Sequence, residues 1–164
     1  MAAATTGTAV MTFPSDTQIL VTRDFDAPRH LVWQVWTTPE HVKRWWGGKR
    51  GQVTLAEVDL RVGGRWRYVM TANRGSEVAF HGEFREIVPE ERLVHTEVYE
   101  GVPDGDADPA VVTNVFTEVD GRTRVTMLTE LSSKEVRDAI VETGMEGGMQ
   151  EALDALEQVA ISLL

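Results

Sequence analysis

The chain has no cysteine in 164 residues. That excludes a disulfide framework, a thiolate metal site and a cysteine nucleophile, and a reducing cytoplasm is the expected location. Basic residues are scarce too: 16 Lys and Arg against 26 Asp and Glu leave a net charge of -10. Nucleic acid calls for a basic face, so no nucleic-acid partner is expected. No apolar run approaches the roughly 20 residues that cross a bilayer, so no membrane partner is expected either. The first fifteen residues are small and polar, without the basic start and apolar stretch of a signal peptide. They read as a disordered tail, 1–15, ahead of one domain over 16–164, with Met1 and Met11 both open as the natural start. Serines are few, and none lies in a nucleophile elbow. The glycine pairs Gly47-Gly48, Gly63-Gly64 and Gly147-Gly148 lack the phosphate-loop pattern. Catalytic residues: none; metal: none; cofactor: none. That is the expectation from the motifs.

What is present is a run of strands ending in a helix. Residues 17–25 alternate, with Ile19, Val21 and Phe25 on one side. Asp26-Ala27-Pro28 stops that strand and starts a helix, with Asp26 as the expected N-cap and Pro28 near the first helical position. Leu31, Val32, Val35 and Trp36 give this helix an apolar face. Thr38-Pro39-Glu40 restarts the chain as a second short helix. The adjacent Trp45 and Trp46 cannot share one core pocket, so one is expected in the core and the other at a rim. Six strands follow, over 52–58, 65–71, 78–88, 92–99, 111–119 and 122–131. With the first they make an antiparallel sheet of seven. Trp66, Tyr68 and Met70 share one face of their strand, while Arg65 and Arg67 take the other. Residues 101–109 read as an exposed loop.

Residues 133–164 read as one long helix. Met145, Met149, Ala152, Leu153, Leu156, Ala160 and Leu163 form a single stripe, which the sheet is expected to cover. Gly144, Gly147 and Gly148 interrupt its first half, each at a cost of roughly 1 kcal/mol against alanine. Either the helix kinks or starts near Gly148, or the missing side chains leave a hollow over the sheet.

His81, Glu83, His95 and Glu97 lie in neighbouring strands and invite a metal hypothesis. If the intervening turn centres on Glu90, Glu83 faces Glu97 and Arg85 faces His95. Phe80, Gly82, Phe84 and Val88 then share the core face with Val94, Thr96 and Val98, and the ionisable set points to solvent. A slip of one residue would reverse this. For the last hairpin, Asp120-Gly121 as a two-residue turn sets Phe116 against Val125, Asn114 against Met127 and Val112 against Thr129. Asn114, Thr129 and Thr96 are the polar members of that apolar face. They either bond to backbone or neighbours, or orient a ligand.

The element order resembles the START-like (SRPBCC) superfamily. The motifs that carry the resemblance are Phe25-Asp26-Ala27-Pro28, Trp36-Thr37-Thr38-Pro39-Glu40, Trp45-Trp46-Gly47, Asp59-Leu60-Arg61-Val62-Gly63-Gly64-Arg65-Trp66, and Gly82 to Pro89 with Glu91-Arg92-Leu93-Val94. They are similar to the branch named for the C-terminal domain of the activator of the heat-shock-ninety chaperone ATPase. The resemblance spans 17–164. It implies an α+β helix-grip fold: a curved seven-stranded antiparallel sheet wrapped around a long C-terminal helix, with two short helices after the first strand. It also implies a cavity between sheet and helix that takes a hydrophobic small molecule. Where the family carries a tryptophan after the glycine early in the last helix, this chain has Met145 after Gly144.

The expected function is therefore small-molecule binding without covalent chemistry. The expected ligand-binding residues are Trp45, Trp66, Tyr68, Met70, Phe80, Phe84, Asn114, Phe116, Met127, Met145 and Met149. The alternatives are a cyclase or hydrolase using the same cavity, and a chaperone-associated protein. The last is disfavoured because the chain has no room for the additional N-terminal chaperone-binding domain. Family resemblance also allows a homodimer.

Overall fold

In the computed structural model, which describes residues 7–101 and 107–164, the elements run β1 (Val10–Thr12), β2 (Gln18–Phe25), α1 (Arg29–Thr37), α2 (Pro39–Trp45), β3 (Gly51–Val58), β4 (Arg65–Ala72), β5 (Glu77–Val88), β6 (Arg92–Tyr99), β7 (Ala110–Val119), β8 (Arg122–Glu130), α3 (Lys134–Glu142) and α4 (Met145–Ser162). The strands form one antiparallel sheet in the order β1-β2-β8-β7-β6-β5-β4-β3. This is the helix-grip α+β fold. Among the described residues the sheet has eight strands rather than the expected seven.

The added strand, β1, comes from the segment read as a tail. It pairs Val10 with Thr22 and Thr12 with Leu20. Its approach is held by α4. The Gln150 amide accepts from the Ala9 N–H at 3.1 Å and donates to the Ala9 carbonyl at 2.7 Å, and Asp154 accepts from the Gly7 N–H. These partners lie about 140 residues downstream, so local composition carries no sign of them. Residues 1–6 of the expected tail and 102–106 of the expected loop lie outside the described residues.

The terminal helix is two helices. Ser133 caps α3 by accepting the Val136 N–H at 3.2 Å. Gly144 then sits at φ +80°, a left-handed turn that breaks the helical path, and α4 starts at Met145. Asp26 is not the cap expected for α1. Pro28 holds that position without a side-chain bond. The Asp26 carboxylate instead lies 3.4 Å from Arg122 Nε, and its N–H donates to Glu157 at 2.8 Å.

α4 has two different halves. Its C-terminal half packs a solid apolar core, with Leu153, Leu156, Val159 and Ala160 buried together with Phe25, Val32, Val35 and Val125. Trp36 meets Phe25 and Phe116 edge-on in the same region. Inside this core is Arg23, on the same face of β2 as Ile19, Val21 and Phe25. Its guanidinium reaches Asp154 at 2.7 Å and Glu157 at 3.2 Å. A buried cation is tolerable only with such partners, and these two fix α4 against β2.

The β7–β8 register matches the expectation at Val112–Thr129, Asn114–Met127 and Phe116–Val125. Asp120 and Gly121 both have positive φ, as a tight hairpin turn requires. The β5–β6 register matches the expectation only beside the turn. It pairs Phe80 with Tyr99, His81 with Val98 and Phe84 with His95, then shifts to Glu86 with Val94. Arg85 is the extra residue of a β-bulge. All of β6 is thereby turned over relative to the expectation, and so is β5 between the bulge and the turn, where Val88, expected on the core face, is exposed. Val94, Thr96 and Val98 lie on the outer face, while His95 and Glu97 lie inward with Phe80 and Phe84.

Candidate functional site

The N-terminal half of α4 has few side chains to put on the sheet. At Gly148 an added Cβ would meet nothing within 4 Å. At Gly147 the bare helix surface receives Arg50, whose Nη2 lies 2.8 Å from the position a Cβ would take. Beneath these turns is a cavity of about 510 Å³, within the range of small-molecule sites. Trp66, Tyr68, Met70, Phe80 and Phe84 of β4 and β5 form its floor, and Val112, Met127 and Thr129 one wall. Met145, Met149 and Ala152 form the roof.

The two tryptophans at the end of α2 both reach this space. Trp45 is buried, and its indole N–H donates to the Val35 carbonyl at 3.0 Å. Trp46 meets Tyr68 and Phe80 edge-on, with ring centres 5.6 and 5.7 Å apart. Two of the expected residues are elsewhere. Asn114 is 2% exposed and donates to the Leu93 carbonyl at 3.1 Å. Phe116 is held between Trp33 and Trp36. Both point inward, but α1 covers that part of the sheet, so an inward position there is core and not cavity.

The bulge brings two residues into the cavity that the sequence reading turned outward, His95 and Glu97. Thr96, between them, explains how the strands hold together there. Its carbonyl accepts from Trp66 Nε1 at 3.2 Å and from His95 Nδ1 at 3.1 Å, while its hydroxyl accepts the Glu83 N–H at 2.9 Å. Side chains thus replace part of the ladder. Gly82 is needed for this, because a Cβ there would collide with the Thr96 carbonyl oxygen. A mid-strand glycine is the one sign in the sequence of such a close approach.

The hydrogen bond from His95 assigns its tautomer. A carbonyl only accepts, so Nδ1 carries the proton and Nε2 is a bare acceptor. Burial pushes His95 down to about 4 and Glu97 up to about 7. Burial, then the charge of Glu97, raises Tyr68 above the ordinary phenol value. Around neutrality the wall therefore offers an imidazole acceptor, a phenol donor and a carboxyl close to its titration point. No protein group among the described residues hydrogen-bonds to the Tyr68 hydroxyl, the Glu97 carboxyl or His95 Nε2. Arg50, at the rim, is half exposed and lies 3.4 Å from Glu151.

The suspected metal set is divided. His95 and Glu97 face the cavity, while His81 and Glu83 are on the other side of the sheet. On that outer side His81 and Arg67 both bind Glu100, at 2.8 Å for His81 Nδ1 and 2.8 and 2.9 Å for the guanidinium.

Residues 26–160 match the family model for Activator of Hsp90 ATPase homolog 1-like protein. The chain belongs to this family. A crystal structure of a Rhodobacter sphaeroides protein is similar at 26% identity and a TM-score of 0.86, over 95% of this chain and 99% of that one. A Mycobacterium smegmatis protein is similar at 26% identity and a TM-score of 0.82, over 92% and 96%. The AHSA1-like protein from Aeromonas hydrophila shares the fold at 23% identity and a TM-score of 0.64, over 89% and 93%. Comparison with curated proteins gives no match. The family's START-like fold generally binds hydrophobic ligands. Among the described residues no helix is long and apolar enough to cross a membrane.

Proposed function

We propose that this protein binds a hydrophobic small molecule, without covalent chemistry, in the cavity between the sheet and α4. The observation that carries this reading is the hollow itself. Where the C-terminal half of α4 packs a solid core, its N-terminal half spans about 510 Å³ of largely apolar space. Affinity would come from apolar burial, at about 25 cal/mol per Å² removed from water. Met70, Met127, Met145 and Met149 give the walls side chains that adapt to the shape of a guest.

Native mass spectrometry of protein purified from its own host tests the reading. A retained molecule of small mass is the expected result, lost when Gly148→Leu fills the roof. Bare chain only, together with no uptake of any apolar probe in vitro, would sink it.

One observation favours a second reading, catalysis in the same cavity. His95 and Glu97 face inward, and Glu97 titrates near neutrality, as a general acid or base must. Incubating the recovered ligand with the protein separates the two readings. Recovery of the ligand unchanged leaves binding alone; conversion that is lost in Glu97→Gln moves the protein to the enzymes.

A further inference from the structure

Thr37 and Thr129 line the cavity, but among the described residues its ionisable groups away from the rim are Tyr68, His95 and Glu97, and their chemistry constrains the guest. The floor at Trp66 and Phe80 and the roof at Met145 and Met149 offer nothing to a hydrogen bond beyond the Trp66 N–H, which Thr96 already occupies. Tyr68, His95 and Glu97 are different. The β5–β6 register sets Glu97 across from Gly82, and Gly82 is the partner of Trp66, next but one to Tyr68. His95 is two residues from Glu97 on the same face, roughly 7 Å away along the strand. Each presents a polar group to the cavity that no protein group among the described residues satisfies. Buried polar groups are nearly always paired, with protein, water or ligand.

Charge narrows the guest further. Among the described residues no cation lines the cavity except Arg50, which stands at the rim beside Glu151. An anion would be buried without a counter-charge, and a cation would be buried with the Glu97 carboxylate as its one charged partner in apolar surroundings. Both carry a large desolvation cost. An uncharged hydroxyl carries neither cost. Its proton suits the bare Nε2 of His95, and the two lone pairs of its oxygen suit the Tyr68 O–H and the protonated Glu97 carboxyl.

We infer that the ligand is an uncharged amphipathic molecule whose single hydroxyl-type head lies on the wall of Tyr68, His95 and Glu97, with its apolar body under the methionines of α4. This rests on the binding function proposed above and adds the polarity and orientation of the guest.

The test uses four probes of one shape on the whole chain, with dissociation constants read from tryptophan fluorescence at pH 6. The probes are naphthalene, 2-naphthol, 2-naphthoate and 2-naphthylmethylammonium. The expected result is 2-naphthol at least tenfold tighter than naphthalene, and both charged probes weaker than naphthalene. Tyr68→Phe, His95→Phe and Glu97→Met should each narrow the naphthol advantage at least threefold. Their naphthalene affinity, which also reports that they fold, should stay within about threefold of the parent. Equal binding of naphthalene and naphthol overturns the inference and leaves the cavity reading standing. So does a charged probe that binds tightest, or a naphthol advantage that survives all three substitutions. No binding of any probe overturns the cavity reading itself.

Discussion

Replacing Gly148 by leucine should make the protein more stable and its ligand site smaller. The position is helical with ordinary backbone angles, and a Cβ there meets nothing within 4 Å. Leucine in place of glycine removes a helix penalty of about 0.8 kcal/mol. A fully buried leucine side chain contributes about 1.5–3 kcal/mol. Near the cavity rim about half of that is realised, so the sum is close to 2 kcal/mol. For a chain of this size each kcal/mol moves the melting temperature by about 2–4 °C, so the expected rise is roughly 4–8 °C. Binding of 2-naphthol should weaken tenfold or more, because the new side chain occupies the guest's space. Gly148→Ala is the control. It should gain about 1 kcal/mol from helix propensity alone and leave affinity within about threefold. Scanning calorimetry and fluorescence titration read both quantities. A leucine variant that melts lower than the parent, or one that keeps full affinity, refutes the claim that these turns lie over a hollow.

Three other outcomes follow from the packing and the charges. Gly82→Ala should cost about 3 kcal/mol in urea unfolding, since the new methyl meets backbone at Thr96 that cannot yield; an unchanged midpoint would contradict the side-chain ladder described there. Glu157→Ala should cost about 3 kcal/mol by leaving Arg23 with Asp154 as its one carboxylate, and Arg23→Met added to it should restore much of the loss; a double variant no better than the single one rejects the buried-charge account. The third outcome concerns pH. The folded value of Glu97, about 7, lies above its ordinary 4.5, so the stability from burying the neutral acid is whole below pH 4.5 and lost as pH rises to 7. His95 runs oppositely: at about 4 against an ordinary 6.5, its contribution is whole above pH 6.5 and lost as pH falls to 4. The trends oppose each other between 4.5 and 6.5, so the parent's profile hides both. Glu97→Gln removes only the first, and relative to the parent it should gain on the order of 3 kcal/mol between pH 5 and pH 8. A difference that does not change with pH would show that Glu97 is solvated in the fold.

Much of the fold was legible because it rests on local patterns. The alternation in β2, the paired short helices and the Asp120-Gly121 hairpin each follow from residues within a dozen positions of one another. The floor of the cavity was legible for the same reason: Trp66, Tyr68 and Met70 alternate cleanly, and β4 keeps its register with β5. β1 was not legible, since Gln150 and Asp154 at the far end of the chain hold its approach. Arg23 was passed over on an apolar face because the two carboxylates that make it tolerable there lie on α4. Asn114 and Phe116 were placed on the correct face of the sheet, yet which helix covers that part of the face is a property of the packing.

By itself, then, the sequence determined the order of elements from β2 to β8, the apolar faces of the strands other than β6 and the turn end of β5, and the glycines that thin the last helix. Those features depend on period and turn chemistry, which act between near neighbours. Only the tertiary structure decided which way His95 and Glu97 point. One extra residue at Arg85 inverts the facing of β6, because strand side chains alternate with a period of two and a bulge shifts the count by one. That shift is sustained by the indole of Trp66, the ring of His95 and the hydroxyl of Thr96, and it gives the cavity the polar wall from which its ligand class is inferred.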